Sequence, residues 1–469
     1  MALKPLHRRI LLLLLLVYGL AISVFDLDYN SVFIDEAFQI TMGKELLAGE
    51  TCLGCPHHTG SVMVWPMLAG LADRAGGIHA VRLLNVFIGL ALTVIVYATA
   101  GALFGGGLGL IAATLFMCTG QTLYLMKLGT YDMIAAFFLG ASMLVFVVST
   151  KAEAPWRRNA AVVLGSAALF LAAITKYILP VFVPALVLYV FFMHGFRRTI
   201  VFCVVPLVVL GALYLGFARY APRAQVFGQV ETYANIKVPL ETIFDWAFRW
   251  IALVLLLAVF GVFHAKHGRT AVALILLSTP IVILHLASRA EQSVNKNMIF
   301  ALIFLAPAAA LGVDHMAKIF SFGTKSRVIH AFFTAAVLVI FWAYGLYNLR
   351  WLERQYPDVT PVIEFFEAKG FDGMTVAFNG WDGVIYDYVF DKRYPNARFL
   401  NFFEIEKVDS PRPSFAEPVD FIVCEDLFYG KMTPCSLFGA YFEDDFQLLK
   451  DFEIKHSWGT TDALIYGRR

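Results

Sequence analysis

The sequence predicts an α-helical polytopic membrane protein of about eleven transmembrane helices, followed by a C-terminal extracytoplasmic α/β domain. Three observations predict it. Of the 469 residues, 59% are hydrophobic and 15% charged, and the mean hydropathy is +0.70. A water-soluble chain with that balance would be covered in apolar patches. The apolar residues also gather in runs of roughly 17–25, long enough to cross a bilayer as helix. Beyond residue 349 the composition becomes mixed polar, with short alternating apolar runs. A net charge of only +2 offers no basic surface for nucleic acid. Six cysteines are too few and too scattered for a disulfide scaffold. The 43 phenylalanines suit lipid-facing and interfacial surface.

Taken in order, the first span covers 10–25. An outer segment, 26–77, follows and is too long for a simple turn. It holds an amphipathic stretch at 38–47 and an apolar stretch at 62–71 that is too short to cross; both suit helices lying in the interface. Further spans are read at 78–104, 108–124, 132–148, 160–175, 177–193, 200–217, 246–264, 271–286, 298–315 and 329–347. Lys4, Arg8 and Arg9 precede the first span, and alternate loops carry Lys151/Arg157/Arg158, Arg197/Arg198, Lys266/Arg269 and Lys318/Lys325/Arg327. Short basic segments stay cytoplasmic. That threading puts Asp35, Glu36, Asp132 and the C-terminal domain on the outer, periplasmic side of the inner membrane. The basic start and Ala21-Ile22-Ser23 also fit a cleaved signal peptide, but the topology works with the segment retained. Two domains result: 1–349, a membrane domain that includes the outer loop 26–77, and 350–469. The second carries a helical stretch at 359–369 and strand-like runs at 374–378, 420–424 and 463–467.

Ionised carboxylates are costly beside lipid and mark sites when they lie at membrane level. Asp35 and Glu36 just beyond the first span, and Asp132 at the start of another, are therefore candidates for surface chemistry. Acids at a helix N-terminus also offset the macrodipole, and Asp132 could cap its own span. Lys127, Lys176, Arg289 and Lys296 lie near outer span ends. They could grip an anion or simply snorkel to the interface. Lys176 is the strongest of them because it sits in a very short outer turn; His285 and Arg219 are weaker. Cys52-Leu53-Gly54-Cys55-Pro56-His57-His58 could bind zinc or close a local disulfide. Cys424 and Cys435 could form another, while Cys118 and Cys203 read as packing residues.

Several motifs carry a family resemblance. Asp35-Glu36-Ala37-Phe38 matches an Asp-Glu motif in a first outer loop. Gly60 to Pro66, with Ala80-Val81-Arg82-Leu83-Leu84-Asn85 after it, resembles an interfacial helix and the start of a second span. Leu128-Gly129-Thr130-Tyr131-Asp132-Met133, Thr175-Lys176-Tyr177 and Lys296-Asn297-Met298 resemble later elements. In this order the motifs resemble the GT-C membrane glycosyltransferases, in the branch of dolichyl-phosphate-mannose protein mannosyltransferases and bacterial lipopolysaccharide sugar transferases. Tyr131 stands where that family often has Arg-Pro, and Tyr177 stands in place of Gly.

The resemblance implies a GT-C-like fold and an inverting transfer of a hexosyl or pentosyl group from a polyprenyl-phosphate-linked donor. The acceptor would be a lipid, glycan or protein at the outer face of the cytoplasmic membrane. Asp35 would be the base. Glu36 would orient it or bind a divalent metal ion, and Asp132 would complete that metal site or bind acceptor. Tyr131, Lys127, Lys176, Arg289 and Lys296 would hold the donor, and His57 or His58 would contact its phosphate or the metal. A lipid monophosphate can also leave on Lys and Arg alone, so a cofactor is not required by the chemistry. The alternative is a polytopic transporter of a lipid-linked or amphiphilic solute. Transporters tend to show paired halves and broken helices near the midplane, whereas here the acids gather at one surface.

Overall fold

The computed structural model describes residues 4–49, 64–176, 178–204, 208, 237–289, 293–321, 327–378, 383–390, 393–400, 418–425, 445–456 and 459–469. They form two compact units. One comprises Met1–Leu27 with Met42–Leu349, the other Asp28–Thr41 with Arg350–Arg469.

The first unit is helical. Among the described residues, eight helices are long and apolar enough to cross a membrane, or nine if one bent pair counts as a single span. Helix α1 (Pro5–Phe25) opens with proline at its first position, where the missing N–H costs nothing. Helix α2 (Ile34–Ala48) follows. Helix α3 (Val64–Phe104) is kinked at Gly76–Gly77, which separates the short interfacial stretch from the span proper. Gly77 has φ 65° and ψ −160°, a conformation open essentially to glycine alone.

The run read as one span at 108–124 is instead broken. Helices α4 (Gly106–Met117) and α5 (Gly120–Lys127) meet at 64°. The apolar run is interrupted there by Thr119-Gly120-Gln121-Thr122, and the Thr119 hydroxyl accepts from the Thr122 amide and starts a new helix. Helix α6 (Asp132–Ser149) and α7 (Pro155–Thr175) come next, then a 3₁₀ turn (Leu179–Phe182) and the short α8 (Val183–His194). Most of the run at 200–217 lies outside the described residues. Helices α9 (Leu240–Val262), α10 (Gly268–Ser288), α11 (Val294–Phe320) and α12 (Arg327–Glu353) complete the unit.

Helix α11 forms the centre, packed on α4, α9 and α10, and nearly all of its apolar window is buried. Lipid tails give no hydrophobic drive between helices, so close approach rests on small residues. Gly261 of α9 and Gly312 of α11 supply it. A side chain at Gly312 would run into the Leu257 carbonyl, and one at Gly261 into the Ala308 carbonyl.

In the second unit, helix α13 (Thr360–Lys369) ends at Gly370, φ 65°. Helix α14 (Gly383–Phe390) lies between the first two strands of the sheet in chain order. The five-stranded sheet runs β2–β1–β3–β5–β4. Strands β1 (Thr375–Phe378), β2 (Arg398–Leu400) and β3 (Phe421–Glu425) are parallel; β4 (Phe446–His456) and β5 (Gly459–Arg468) add antiparallel. The strand-like runs of the sequence are these strands. Ala377, Leu400, Val419, Ile422, Cys424 and Phe446 form one core cluster. Cys424 is disulfide-bonded; Cys435 lies outside the described residues.

The sequence assigns all of 26–77 to the membrane domain, but Asp28–Thr41 packs with Arg350–Arg469. The reason is direct bonding. The Asn30 amide donates to the Tyr356 carbonyl at 3.0 Å, and the Val359 amide donates to the Ser31 hydroxyl at 3.2 Å.

A Gly312→Ala chain should be destabilised by about 1–3 kcal/mol, because the Leu257 carbonyl must move. The check is the melting temperature of the detergent-solubilised protein. An unchanged value would show that α9 and α11 do not approach this closely.

Candidate functional site

In the first unit the site is built around a turn. Helix α5 ends at Lys127, the chain passes through Leu128-Gly129-Thr130-Tyr131, and α6 starts at Asp132. Two side chains of α3 hold this turn. The Asn85 amide donates to the carbonyls of Leu128 and of Thr130, the latter at 3.0 Å, and reaches Leu125 at 3.3 Å. The Trp65 indole donates to the Gly129 carbonyl at 3.1 Å. Arg82, one helical turn before Asn85 and fully buried, donates to the Leu27 carbonyl at 2.7 Å, tying α3 to the end of α1. The motif Arg82-Leu83-Leu84-Asn85 is thus a fastening device, a role that its residue types alone did not reveal.

Asp132 is 1% exposed. One carboxylate oxygen accepts from the Thr130 hydroxyl at 2.7 Å, and the other pairs with the Lys176 ammonium. Lys176 is the residue after α7, with extended backbone (φ −144°, ψ 117°), so its side chain leaves the helix direction. Its ammonium lies 4.8 Å from the centre of the Tyr131 ring and 5.7 Å from that of Phe300. Both separations are in the range where a ring quadrupole attracts a cation. Lys296, in the first turn of α11, is buried and exerts an electrostatic pull on Asp132. Lys127 is likewise buried. The structure therefore brings Asp132, Tyr131, Lys176 and Lys296 together. Phe300 is an addition that sequence reading missed, because one aromatic in a buried apolar helix carries no distinguishing signal.

Arg289 differs from the three lysines. It is an exposed, left-handed residue (φ 53°) that closes α10, and its carbonyl accepts from the Val238 amide at 3.1 Å. His285 bonds Asn297 at 3.0 Å across α10 and α11. His57, His58, Cys52, Cys55, Arg219 and Tyr177 lie outside the described residues.

In the second unit, Asp35 and Glu36 occupy the first turn of α2. Glu36 is fully buried, and one of its oxygens accepts from the Phe33 amide at 2.9 Å. That bond is half of a capping box, with the acid reaching back to the residue before the helix. Asp35 is half-buried. Glu36 thereby fixes where α2 begins and so the direction of the Asp35 side chain.

Both Asp132 oxygens are engaged by Lys176 and Thr130, and one Glu36 oxygen caps α2. Among the described residues, no three His, Cys, Asp or Glu side chains come together to hold a metal ion.

No family model and no curated protein matches the chain by sequence. Solved structures do match along its length. The crystal structure of ArnT from Cupriavidus metallidurans bound to undecaprenyl phosphate superposes with a TM-score of 0.58 at 12% identity, covering 96% of this chain and 97% of that one. The Archaeoglobus fulgidus oligosaccharyltransferase tethered with an acceptor peptide gives 0.56 at 14% identity, with 88% and 69% covered. The arabinofuranosyltransferase AftD from Mycobacteria gives 0.58 at 12% identity, over 100% of this chain and 40% of that one. The chain has the GT-C fold. In this GT-C chain, the polytopic helical part and the terminal sheet domain both match the sequence expectation.

Removing one partner of a sealed ion pair strands the other. Lys176→Met should therefore destabilise the protein by about 3–5 kcal/mol, and Asp132→Asn combined with it should recover most of that loss. Denaturation of the single and double variants in detergent measures the coupling. Additive losses would show that the two charges do not interact.

Proposed function

We propose that this chain is an inverting glycosyltransferase that uses a polyprenyl-phosphate-linked sugar donor at the outer face of the cytoplasmic membrane. The acceptor is a lipid, glycan or protein, and Arg350–Arg469 is periplasmic. The observation that carries the reading is the full-length likeness to ArnT, a structure that holds undecaprenyl phosphate. It is joined by the buried Lys176 ammonium, which follows α7 and pairs with Asp132.

In this mechanism Asp35 accepts the proton of the acceptor hydroxyl. The freed oxygen attacks the anomeric carbon from the face opposite the phosphate, through an oxocarbenium-like state. The bond from that carbon to the phosphate oxygen breaks, and polyprenyl phosphate departs with the electron pair. Lys176 and Lys296 stabilise the charge that develops on the leaving oxygen. Asp132 orients Lys176 by the ion pair, and Tyr131 and Phe300 wall the ammonium from other partners. Glu36 orients Asp35 through the cap of α2. The mechanism needs no step through a metal.

The deciding experiment gives the purified protein polyprenyl-phosphate sugars and compares lipid and surface-glycan mass spectra of cells with and without the gene. Asp35→Asn should lower turnover by about 10²- to 10⁴-fold while leaving expression unchanged. Substantial residual turnover would remove Asp35 from the role of base. An unchanged glycan profile with altered uptake of an amphiphilic solute would favour transport instead.

A further inference from the structure

The second unit contains an arrangement that the catalytic reading does not use. The four residues before α2 are fastened to the four residues that precede α13, more than 320 positions later in the chain. The Asn30 amide donates to the Tyr356 carbonyl at 3.0 Å. The Ser31 amide donates to an Asp358 carboxylate oxygen at 3.3 Å, and the Val359 amide returns a hydrogen bond to the Ser31 hydroxyl at 3.2 Å. The Phe33 and Tyr356 rings lie 4.1 Å apart between centres, inclined at 36°. The pairing is reciprocal and includes backbone on both sides, so it fixes position as well as proximity.

Phe33 is the point where this fastening meets the helix. Its amide donates to Glu36 and its carbonyl accepts from the Ala37 amide at 3.0 Å. It is therefore both pinned against Tyr356 and the residue from which α2 starts. An α-helix turns about 100° per residue, so the residue that begins it sets where every later side chain points. Asp35 is only two positions on.

We infer that Asn30, Ser31 and Phe33, bound to the Tyr356–Val359 strap, are positioning residues that aim Asp35. The inference rests on the reading of Asp35 as base, and it gives Arg350–Arg469 a task in the reaction: holding the base in register. A general base must meet its proton within hydrogen-bond reach, and a misplacement of about 1 Å can cost on the order of 10²-fold in rate. Nothing in the strap itself has to touch substrate.

The test uses the full-length protein in nanodiscs. Ser31→Ala removes the acceptor of the Val359 amide, and Phe33→Leu removes the ring contact while keeping an apolar side chain. Each should raise hydrogen exchange of the amides over 30–38 about two- to tenfold, the range set by losing one hydrogen bond. Exchange over 132–149 should stay as it is. Turnover should fall by about fivefold or more with KM for the donor unchanged, because aim and not affinity is lost. Ser31→Thr, which keeps the hydroxyl, should restore both. Asn396→Ala is the control: it removes a side-chain amide bonded to Asp372 at 3.2 Å in the same unit and touches no strap residue. It should leave exchange over 30–38 and turnover unchanged. Unchanged exchange in Ser31→Ala and Phe33→Leu, or raised exchange with unaltered turnover, would overturn the inference. Retained turnover in Asp35→Asn would instead overturn the assignment of the base, and the exchange data would still decide whether the strap fixes α2.

Discussion

The buried pair between Asp132 and Lys176 is the constraint to which the helical unit answers. Taking two ions out of water costs several kcal/mol each, and their attraction repays this only with excellent geometry and further hydrogen bonds. The surroundings of the pair supply those terms. Thr130 gives the second carboxylate oxygen a donor. Tyr131 and Phe300 give the ammonium two ring faces. The turn that carries Thr130 and Asp132 has carbonyls that would otherwise be stranded away from water, a cost comparable to lost hydrogen bonds. Asn85 and Trp65 satisfy them. The bend between α4 and α5, the long kinked α3 and the extended exit of α7 are the backbone features that allow these side chains to meet.

Much of this was legible in the sequence, and what was not has a physical cause. Spans were readable because the requirement for about 20 apolar residues is written locally. The Gly76-Gly77 kink falls between the short stretch 62–71 and the span 78–104, which the sequence already separates. The break at Thr119 was missed because the apolar residues on either side of Thr119-Gly120-Gln121-Thr122 keep the hydropathy high when averaged over the length of a span. Asp132 and Lys176 were each legible as unusual charges, yet their pairing was not. They are 44 positions apart, and sequence spacing carries no register between α6 and α7. Glu36 shows the opposite case: its place three residues after Phe33 is a local pattern, and the capping bond follows from it. The docking of Asp28–Thr41 onto Arg350–Arg469 was invisible because it depends on tertiary pairing of polar loop residues.

The identity to solved GT-C structures is only 12–14%, yet the fold extends along the chain. The two facts are compatible because different residues carry them. Helix positions in a membrane are set by hydrophobic length and by where backbones can approach, as at Gly261 and Gly312. Such requirements are met by many sequences. A fold of this kind does not dictate chemistry, which belongs to the few polar side chains placed upon it. Under the proposed function those are the fastened turn of the helical unit and the capped first turn of α2.

The central helix α11 gives the sharpest sign that charge is placed for a purpose other than folding. A macrodipole favours acids at a helix N-terminus and bases at its C-terminus, by about 0.3–1 kcal/mol each. Helix α11 departs from this at its start, with Lys296 in its first turn, and follows it at its end, with Lys318 in its last turn. Asp314 pairs with Lys318 on the same helix and lies 3.4 Å from His264 and 3.3 Å from His330, with Lys318 largely in solvent. Lys296 has no such access to water, being 4% exposed. It bears both the dipole penalty and the cost of burial. Asp132 at the start of α6 is on the favourable side of its own dipole and offsets part of that cost, while already paired with Lys176. Two ammonium groups are thus gathered about one carboxylate. A helix selected only for packing would place leucine at position 296. Under the proposed function, the cation at 296 stabilises the charge that develops on the departing phosphate.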